Sequence, residues 1–305
     1  MPVTLRASSM GSFAAKTLKT RVASKVMGQV VSTFLNSFYV KTSSGELLFV
    51  TNRSLRSPIT INIDSTMSLD QIVKPLDLMC SHGRQIRLSG AVIDLDQAAS
   101  YVPEPRPSTR LDKAFSMTIE ALRALTFILN IVDINESVLD RGSFTHDRLS
   151  SFVNDGVLAL RNHGGEGRFR EAALRIIGLG FGFTPSGDDT LGGFLAAHNA
   201  LAGGAKRSPI LLEFAMLQDR TSWISAKLFD YMQRLILDEQ LDLIVKTALR
   251  ADADALTLAL ETLLPRGHTS GVDIATGAIL ALSLIRDIVS DEKETETIAG
   301  KLGLL

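Results

Sequence analysis

Disulfide bonding, membrane insertion and broad polyanion binding all find no support in what this sequence lacks. Only Cys80 is present, so no intramolecular disulfide can form, and a reducing compartment, the cytoplasm, is expected. No apolar run approaches the ~18–20 residues of a membrane span. The formal net charge is −1, which points to neither nucleic acid nor an acidic membrane as partner. Acidic residues are absent until Glu46, while Arg6, Lys16, Lys19, Arg21 and Lys25 precede it. That composition is shared with transit peptides. Gln29 to Val40 runs straight on into folded-looking sequence, however, so a basic surface on the first element is the simpler expectation. Short-spaced His/Cys zinc patterns are also missing, and no cofactor or metal is predicted.

What is present describes a globular protein. Its 305 residues are 45% hydrophobic, enough for a sizeable core and for two domains. The predicted class is α+β, a small β-rich N-terminal domain (residues 1–105) followed by a larger all-helical domain (residues 106–305). Gln29 to Val40 and Glu46 to Thr51 are β-rich runs around Ser43-Ser44-Gly45, a hairpin signal. Ile59 to Ile63 and Gln85 to Leu95 are further strand candidates. Tyr101 to Ser108 holds three prolines in eight residues and reads as the linker. Beyond it the periodicity is helical. Leu111 to Ile131 predicts a buried helix, Thr145 to Asn162 and Arg168 to Ile177 two more. Further helices are expected over Leu191–Leu201, over Pro209–Ile236 with an interruption near Arg220-Thr221-Ser222, and over Glu239–Arg250, Asp252–Leu263 and Gly271–Val289.

The most informative stretch is Gly178 to Gly193, G-L-G-F-G-F-T-P-S-G-D-D-T-L-G-G. It lies between two helical patterns, where glycines permit φ > 0 and close approach of a ligand. The amides that follow, at a helix start, form a ready anion site. Known glycine loops do not fit. A dinucleotide fingerprint needs a third glycine where Phe183 stands and a strand where a helix precedes. A P-loop needs Lys and Ser/Thr where Asp188 and Asp189 stand, and the kinase loop fails with the dinucleotide spacing.

A second stretch, Gly267 to Gly277 (G-H-T-S-G-V-D-I-A-T-G), repeats the first when aligned on its serine. Ser186-Gly187-x-Asp189-x-x-x-Gly193 matches Ser270-Gly271-x-Asp273-x-x-x-Gly277 at every gap. Ser with Asp three residues on is a capping-box pattern, and the later glycine permits close helix packing. Capping does not account for Gly180, Gly182, Asp188 and His268 together with the shared glycines. The alternative is that the two helices cross closely and aim both N-termini, each carrying about half a positive charge, at one small anionic ligand.

Arg220, Thr221, Ser222 and Ser225 complete the set if their segment faces the loops. Arg220 could then grip a carboxylate or phosphate in a bidentate fashion, as against a solvated arginine on a long helix. His82, His146, His163 and His198 have the settings of structural or exposed histidines. A hard-cation site would draw on Asp188, Asp189, Asp273 and His268. Ser108-Thr109-Arg110 shares three residues with the carbamoyl-phosphate motif of the aspartate and ornithine transcarbamoylases. Leu111 breaks that motif and its His-Pro-x-Gln partner is absent, so it reads as a linker and helix start.

With G-L-G-F-G-F-T-P-S-G-D-D, a downstream R-T-S-x-x-S and G-H-T-S-G-x-D, the chain resembles the AllH family over most of its length. Phe183 stands where many relatives have Leu. The resemblance implies a subunit of an oxamate carbamoyltransferase in allantoin and purine degradation, which cleaves oxalurate with phosphate to oxamate and carbamoyl phosphate. It also implies FdrA-like and AllG-like partner subunits. Such chemistry needs oxyanion donors, a phosphate clamp and an acid for the leaving amide. The backbone amides from Gly180 and Gly182 to Gly187, with Thr184 and Ser186, suit the first. Arg220, Thr221, Ser225 and the helix start at Thr269, Ser270 and Gly271 suit the second, and His268 the third. Asp188, Asp189 and Asp273 are left to orient donors or hold amide N–H groups. The other expectations are a non-catalytic scaffold or regulatory subunit of the same assembly, and a metal-dependent hydrolase.

Overall fold

A computed structural model describes residues 2–18, 25–107, 146–162, 164–203, 205, 207–250, 252–267 and 269–290. The chain divides into two compact units, Met1–Pro105 and Arg106–Leu305. The expected helix at Leu111 to Ile131 lies outside the described residues, as do His163 and His268.

The first unit is a β-barrel. Its strands are β1 (Val3–Gly11), β2 (Lys25–Phe34), β3 (Ser37–Thr42), β4 (Leu47–Thr51), β5 (Thr60–Asp64), β6 (Leu78–His82), β7 (Gln85–Arg87), β8 (Ala91–Asp94) and β9 (Ala99–Tyr101). They follow the order β5-β4-β3-β2-β6-β7-β8-β1-β9, and β1 also pairs with β5, which closes the ring. Closure depends on β1 having partners on both edges. It runs antiparallel to β5 through Arg6–Met10 and parallel to β8 through Val3–Arg6. A closed ring has no unpaired edge to template aggregation. Alternation fills the interior, with Leu5 and Ala7 of β1, Phe38 and Val40 of β3, and Ile61 and Ile63 of β5 all buried.

Two strand expectations change here. The run from Gln29 to Val40 is a hairpin, β2 folding back on β3 with Val30 opposite Val40. Its turn contains Leu35, which is 59% exposed; an apolar residue in a turn made two strands read as one. Gln85 to Leu95 likewise splits into β7 and β8, which pair antiparallel.

The described elements of the second unit are helical. They are α3 (His146–Phe152), α4 (Glu166–Ile176), α5 (Ser186–Ala202), α6 (Phe214–Gln218), α7 (Trp223–Gln233), α8 (Glu239–Leu249), α9 (Ala253–Leu263) and α10 (Ser270–Ser290), counted after α1 (Ser12–Leu18) and α2 (Leu69–Ile72) of the barrel unit. After Phe152 the chain widens into a π-helical turn, Val153–Val157, and tightens into a 3₁₀ turn, Leu158–Arg161. Every residue of α5 except Ala200 is buried, as expected of a helix without a polar face. The helix α10 is its principal neighbour, and the two form the centre of the unit.

The long helix expected over Pro209–Ile236 is two helices, α6 and α7, preceded by an extended segment. Side-chain amides hold that segment. Asn199 Nδ2 donates to the Ile210 and Gln233 carbonyls at 2.8 and 2.9 Å, and Asn199 Oδ1 accepts from the Ile210 amide at 2.8 Å. Gln233 in turn accepts from the Leu212 amide and donates to the Leu212 carbonyl. Buried amides thus do for this stretch what a β-ladder would do.

Candidate functional site

The glycine-rich loop runs from the end of α4 to the start of α5, and its three alternating glycines all occupy the left-handed region. Their φ angles are 79° at Gly178, 106° at Gly180 and 111° at Gly182. Side-chain-bearing residues rarely adopt such angles, which is why the alternation is glycine. A Cβ on Gly178 would also lie 2.0 Å from the Arg220 carbonyl oxygen, so the root of the loop presses on the α6–α7 junction. The tip is exposed, with Phe181 70% accessible.

The helix α5 begins at Ser186, five residues before the apolar run that announced it, so Asp188 and Asp189 sit in its first turn. Pro185 is the N-cap and provides no side-chain cap. The capping box expected of Ser186 and Asp189 therefore does not form. Each motif's serine reaches across to the other motif's aspartate. Asp189 accepts hydrogen bonds from Ser270 and from Thr184, the latter at 2.9 Å; Asp273 accepts from Ser186 and Thr269. Thr184 and Ser270 hydroxyls are 3.3 Å apart.

Glycine makes this crossing possible. A Cβ on Gly193 would lie 2.1 Å from the Ile274 carbonyl oxygen, and one on Gly277 would lie 1.8 Å from that of Thr190. Aligned on their serines, Thr190 and Ile274 are equivalent positions, as are Gly193 and Gly277. The crossing of α5 and α10 thus has a local two-fold character, with backbone against backbone and the two aspartates exchanged across it.

Burial dominates the electrostatics. Asp189 and Asp273 are 4% and 3% exposed. Desolvation pushes both carboxyls up to about 7. The hydroxyl donors oppose that rise at both residues. At Asp189 the neighbouring Asp273 charge adds to it and Arg266 lessens it. Arg266 is itself tied to the N-cap of α8, its guanidinium 2.5 Å from Asp238. Asp273 Oδ2 is buried and has no hydrogen-bond partner among the described residues.

Asp188, its neighbour in sequence, has another task. It accepts from the Gly178 amide at 2.7 Å, from Thr221 at 2.5 Å and from Ser225 at 2.6 Å. Its carboxyl is also raised, burial outweighing the hydrogen bonds from Ser225, Thr221 and Gly178. These bonds staple the loop root to the start of α7, so Asp188, Thr221 and Ser225 form one brace. Asp188→Ala would strand three buried or half-buried donors, at ~1–3 kcal/mol for each that stays unsatisfied. The expected loss is about 3 kcal/mol or more, read as the midpoint of denaturant unfolding, and a change under about 0.5 kcal/mol would show that the brace carries no load.

The remaining residues are placed as follows. Arg220 is exposed, and its guanidinium donates to the Leu174 carbonyl at 2.9 Å, at the C-terminal end of α4. Its backbone, not its side chain, meets the glycine loop. The amides of Gly187 and of Gly271 are taken by the Leu179 and Arg266 carbonyls, so neither is an open donor. His198 is buried against Phe194, ring stacked on ring at 5.8 Å, and burial lowers its pKa. Among the described residues no three His, Cys, Asp or Glu side chains come together as metal ligands. No helix among them is long and apolar enough to cross a membrane.

Residues 176–282 match the family model for the oxamate carbamoyltransferase subunit AllH. The AllH match takes in the glycine loop, the α6–α7 junction and the second motif, so the motif-based resemblance is shown over the segment that carries those motifs. The barrel lies outside it. No curated protein and no solved structure matches the chain. The repeated S-G-x-D spacing gave two readings, capping and a close crossing of the two helices; the helices do cross closely, and what sequence reasoning missed is the exchange of serines and aspartates between the motifs.

Proposed function

We propose that this chain is a subunit of an oxamate carbamoyltransferase-like enzyme that moves a carbamoyl group between oxalurate and phosphate in allantoin or purine breakdown, in the cytoplasm. The observation that carries the reading is the AllH match, because it spans the glycine loop and both helix starts that build the candidate site. On this reading residues 106–305 hold the chemistry. Backbone amides of the exposed loop around Phe181 receive a carbamoyl or carboxylate oxygen. Arg220, exposed beside the loop root, is the cation available to a phosphate. The ligands are small anions such as oxalurate, oxamate, phosphate or carbamoyl phosphate. FdrA-like and AllG-like subunits complete the assembly.

The test is reconstitution with those two partner subunits followed by an assay for carbamoyl phosphate from oxalurate and phosphate. Turnover by the three together supports the reading; an assembled complex with none sinks it. A second reading, a subunit that positions its partners without touching substrate, draws on the exposed Phe181. An exposed aromatic on a loop held by left-handed glycines suits a partner's apolar pocket. Phe181→Ser is expected to weaken co-purification by about tenfold while leaving the melting temperature unchanged. Intact assembly in a folded variant would remove this residue from any interface.

A further inference from the structure

The two helix starts do not leave a bare positive pole for an anion, because the Gly187 and Gly271 amides are taken by backbone carbonyls and each motif's serine is given to the other motif's carboxyl. Asp189 receives Ser270 and Thr184, and Asp273 receives Ser186 and Thr269. What remains unsatisfied is an acceptor: Asp273 Oδ2, buried, with no partner among the described residues. A native protein rarely leaves such an oxygen unpaired unless something else binds there. A second anion placed against this pair would meet like charge in a desolvated setting. A neutral group that both donates and accepts would not.

We infer that Asp189 and Asp273 form a carboxyl pair that takes a primary carboxamide or carbamoyl group, the –NH2 donating to the ionised carboxyl and the carbonyl accepting from the protonated one. This rests on the reading of the site as a carbamoyl-transfer site and names the part of the ligand that the pair holds. Two buried carboxyls that feel each other's charge do not ionise together easily, so near neutrality the pair holds one proton. A singly protonated pair offers one donor and one acceptor, the complement of an amide's edge. Among the described residues two other charged groups bear on it. Arg266 is paired with Asp238, and Asp188 is occupied by Gly178, Thr221 and Ser225. Thr184, bonded to Asp189 and near Ser270, ties the glycine loop over the pair, so loop movement is the route by which the amide enters.

The same pair can supply the proton that transfer needs. In phosphorolysis a phosphate oxygen bonds to the carbamoyl carbon and the bond from that carbon to the oxamate nitrogen breaks. The protonated carboxyl gives its proton to the leaving nitrogen, becomes a carboxylate, and is reprotonated from solvent or phosphate.

The experiment is calorimetric titration of the full chain with oxamate and with oxalate, which replaces the amide by a second carboxylate. Wild type should bind oxamate at least about tenfold more tightly than oxalate, and Asp273→Ala, which removes both donor and acceptor, should bring the two within about threefold, with folding checked by circular dichroism. A second readout needs no variant. Oxamate affinity of the wild type should fall about tenfold between neutral pH and about pH 9, where both carboxyls are ionised. Equal affinities for the two ligands, a preference that survives Asp273→Ala in a folded variant, a flat pH profile, or no measurable oxamate binding each overturn the inference. A chain that prefers oxamate as expected while its assembly turns over no oxalurate overturns the carbamoyl-transfer reading instead and leaves the amide site standing.

Discussion

Replacing both Asp189 and Asp273 by asparagine is expected to flatten the pH dependence of stability and to make the protein more stable above neutral pH. Both carboxyls are raised from 3.8 to about 7, chiefly by burial. A raised acid pKa means that the folded state holds its proton when the unfolded chain has released it. The stabilisation is therefore complete below about pH 4, is lost progressively between about pH 4 and pH 7, and is absent above that window. A shift of this size corresponds to at most ~4 kcal/mol per carboxyl. Asparagine resembles the neutral carboxyl in shape and can still accept from the serine and threonine hydroxyls. The variant should thus gain a few kcal/mol over wild type at about pH 8, and, on the proposed carbamoyl-transfer function, lose ~100-fold or more of turnover in the reconstituted assembly, since an amide cannot pass a proton. Urea unfolding midpoints across pH, followed by circular dichroism, supply the test. Parallel curves for wild type and variant would mean that the carboxyls stay ionised in the fold.

The other large effect concerns Gly277→Ala. The added methyl would lie 1.8 Å from the Thr190 carbonyl oxygen and 2.7 Å from the Phe194 amide nitrogen. Both are backbone atoms of the facing helix, so no side chain can swing aside and α5 and α10 must separate. Overpacking in cores that can partly relax costs ~1–3 kcal/mol. Here the expected loss is about 3 kcal/mol or more, with aggregation on expression if total stability is ordinary. Gly203→Ala is the matched control. Gly203 follows α5 with a helical φ of −59°, and nothing lies within 4 Å of its Cβ position. It should be neutral or slightly stabilising. Equal melting temperatures for the two variants would show that the helices are not held in backbone contact.

Much of this site was legible in order along the chain. The alternating glycines at 178, 180 and 182 marked left-handed backbone because few other residues tolerate it. The repeated S-G-x-D spacing marked two helix starts of one kind, and the paired glycines seven residues beyond each serine marked close packing. Helical periodicity placed α8, α9 and α10 to within a residue or two, since α8 and α9 are amphipathic and α10 is apolar on nearly every side. Sequence also carried the family resemblance, through the loop now matched.

Tertiary structure alone decided who partners whom. Ser186 and Asp189 stand at capping distance in sequence, yet each bonds to the other motif, because two helices crossing at glycine come nearer than one turn of a single helix brings its own side chains. Asp188 and Asp189 are indistinguishable as neighbours on paper. A helix rotates successive residues by about 100°, which sends Asp188 to the α6–α7 junction and Asp189 to Ser270. Arg220 lies in the segment that faces the loop but turns its guanidinium to the end of α4. The barrel closes because β1 has two free edges and finds both β5 and β8, a long-range pairing that no local pattern encodes. Local chemistry determined which residues could build a site; only the three-dimensional crossing decided that two carboxyls would be buried together and share its centre.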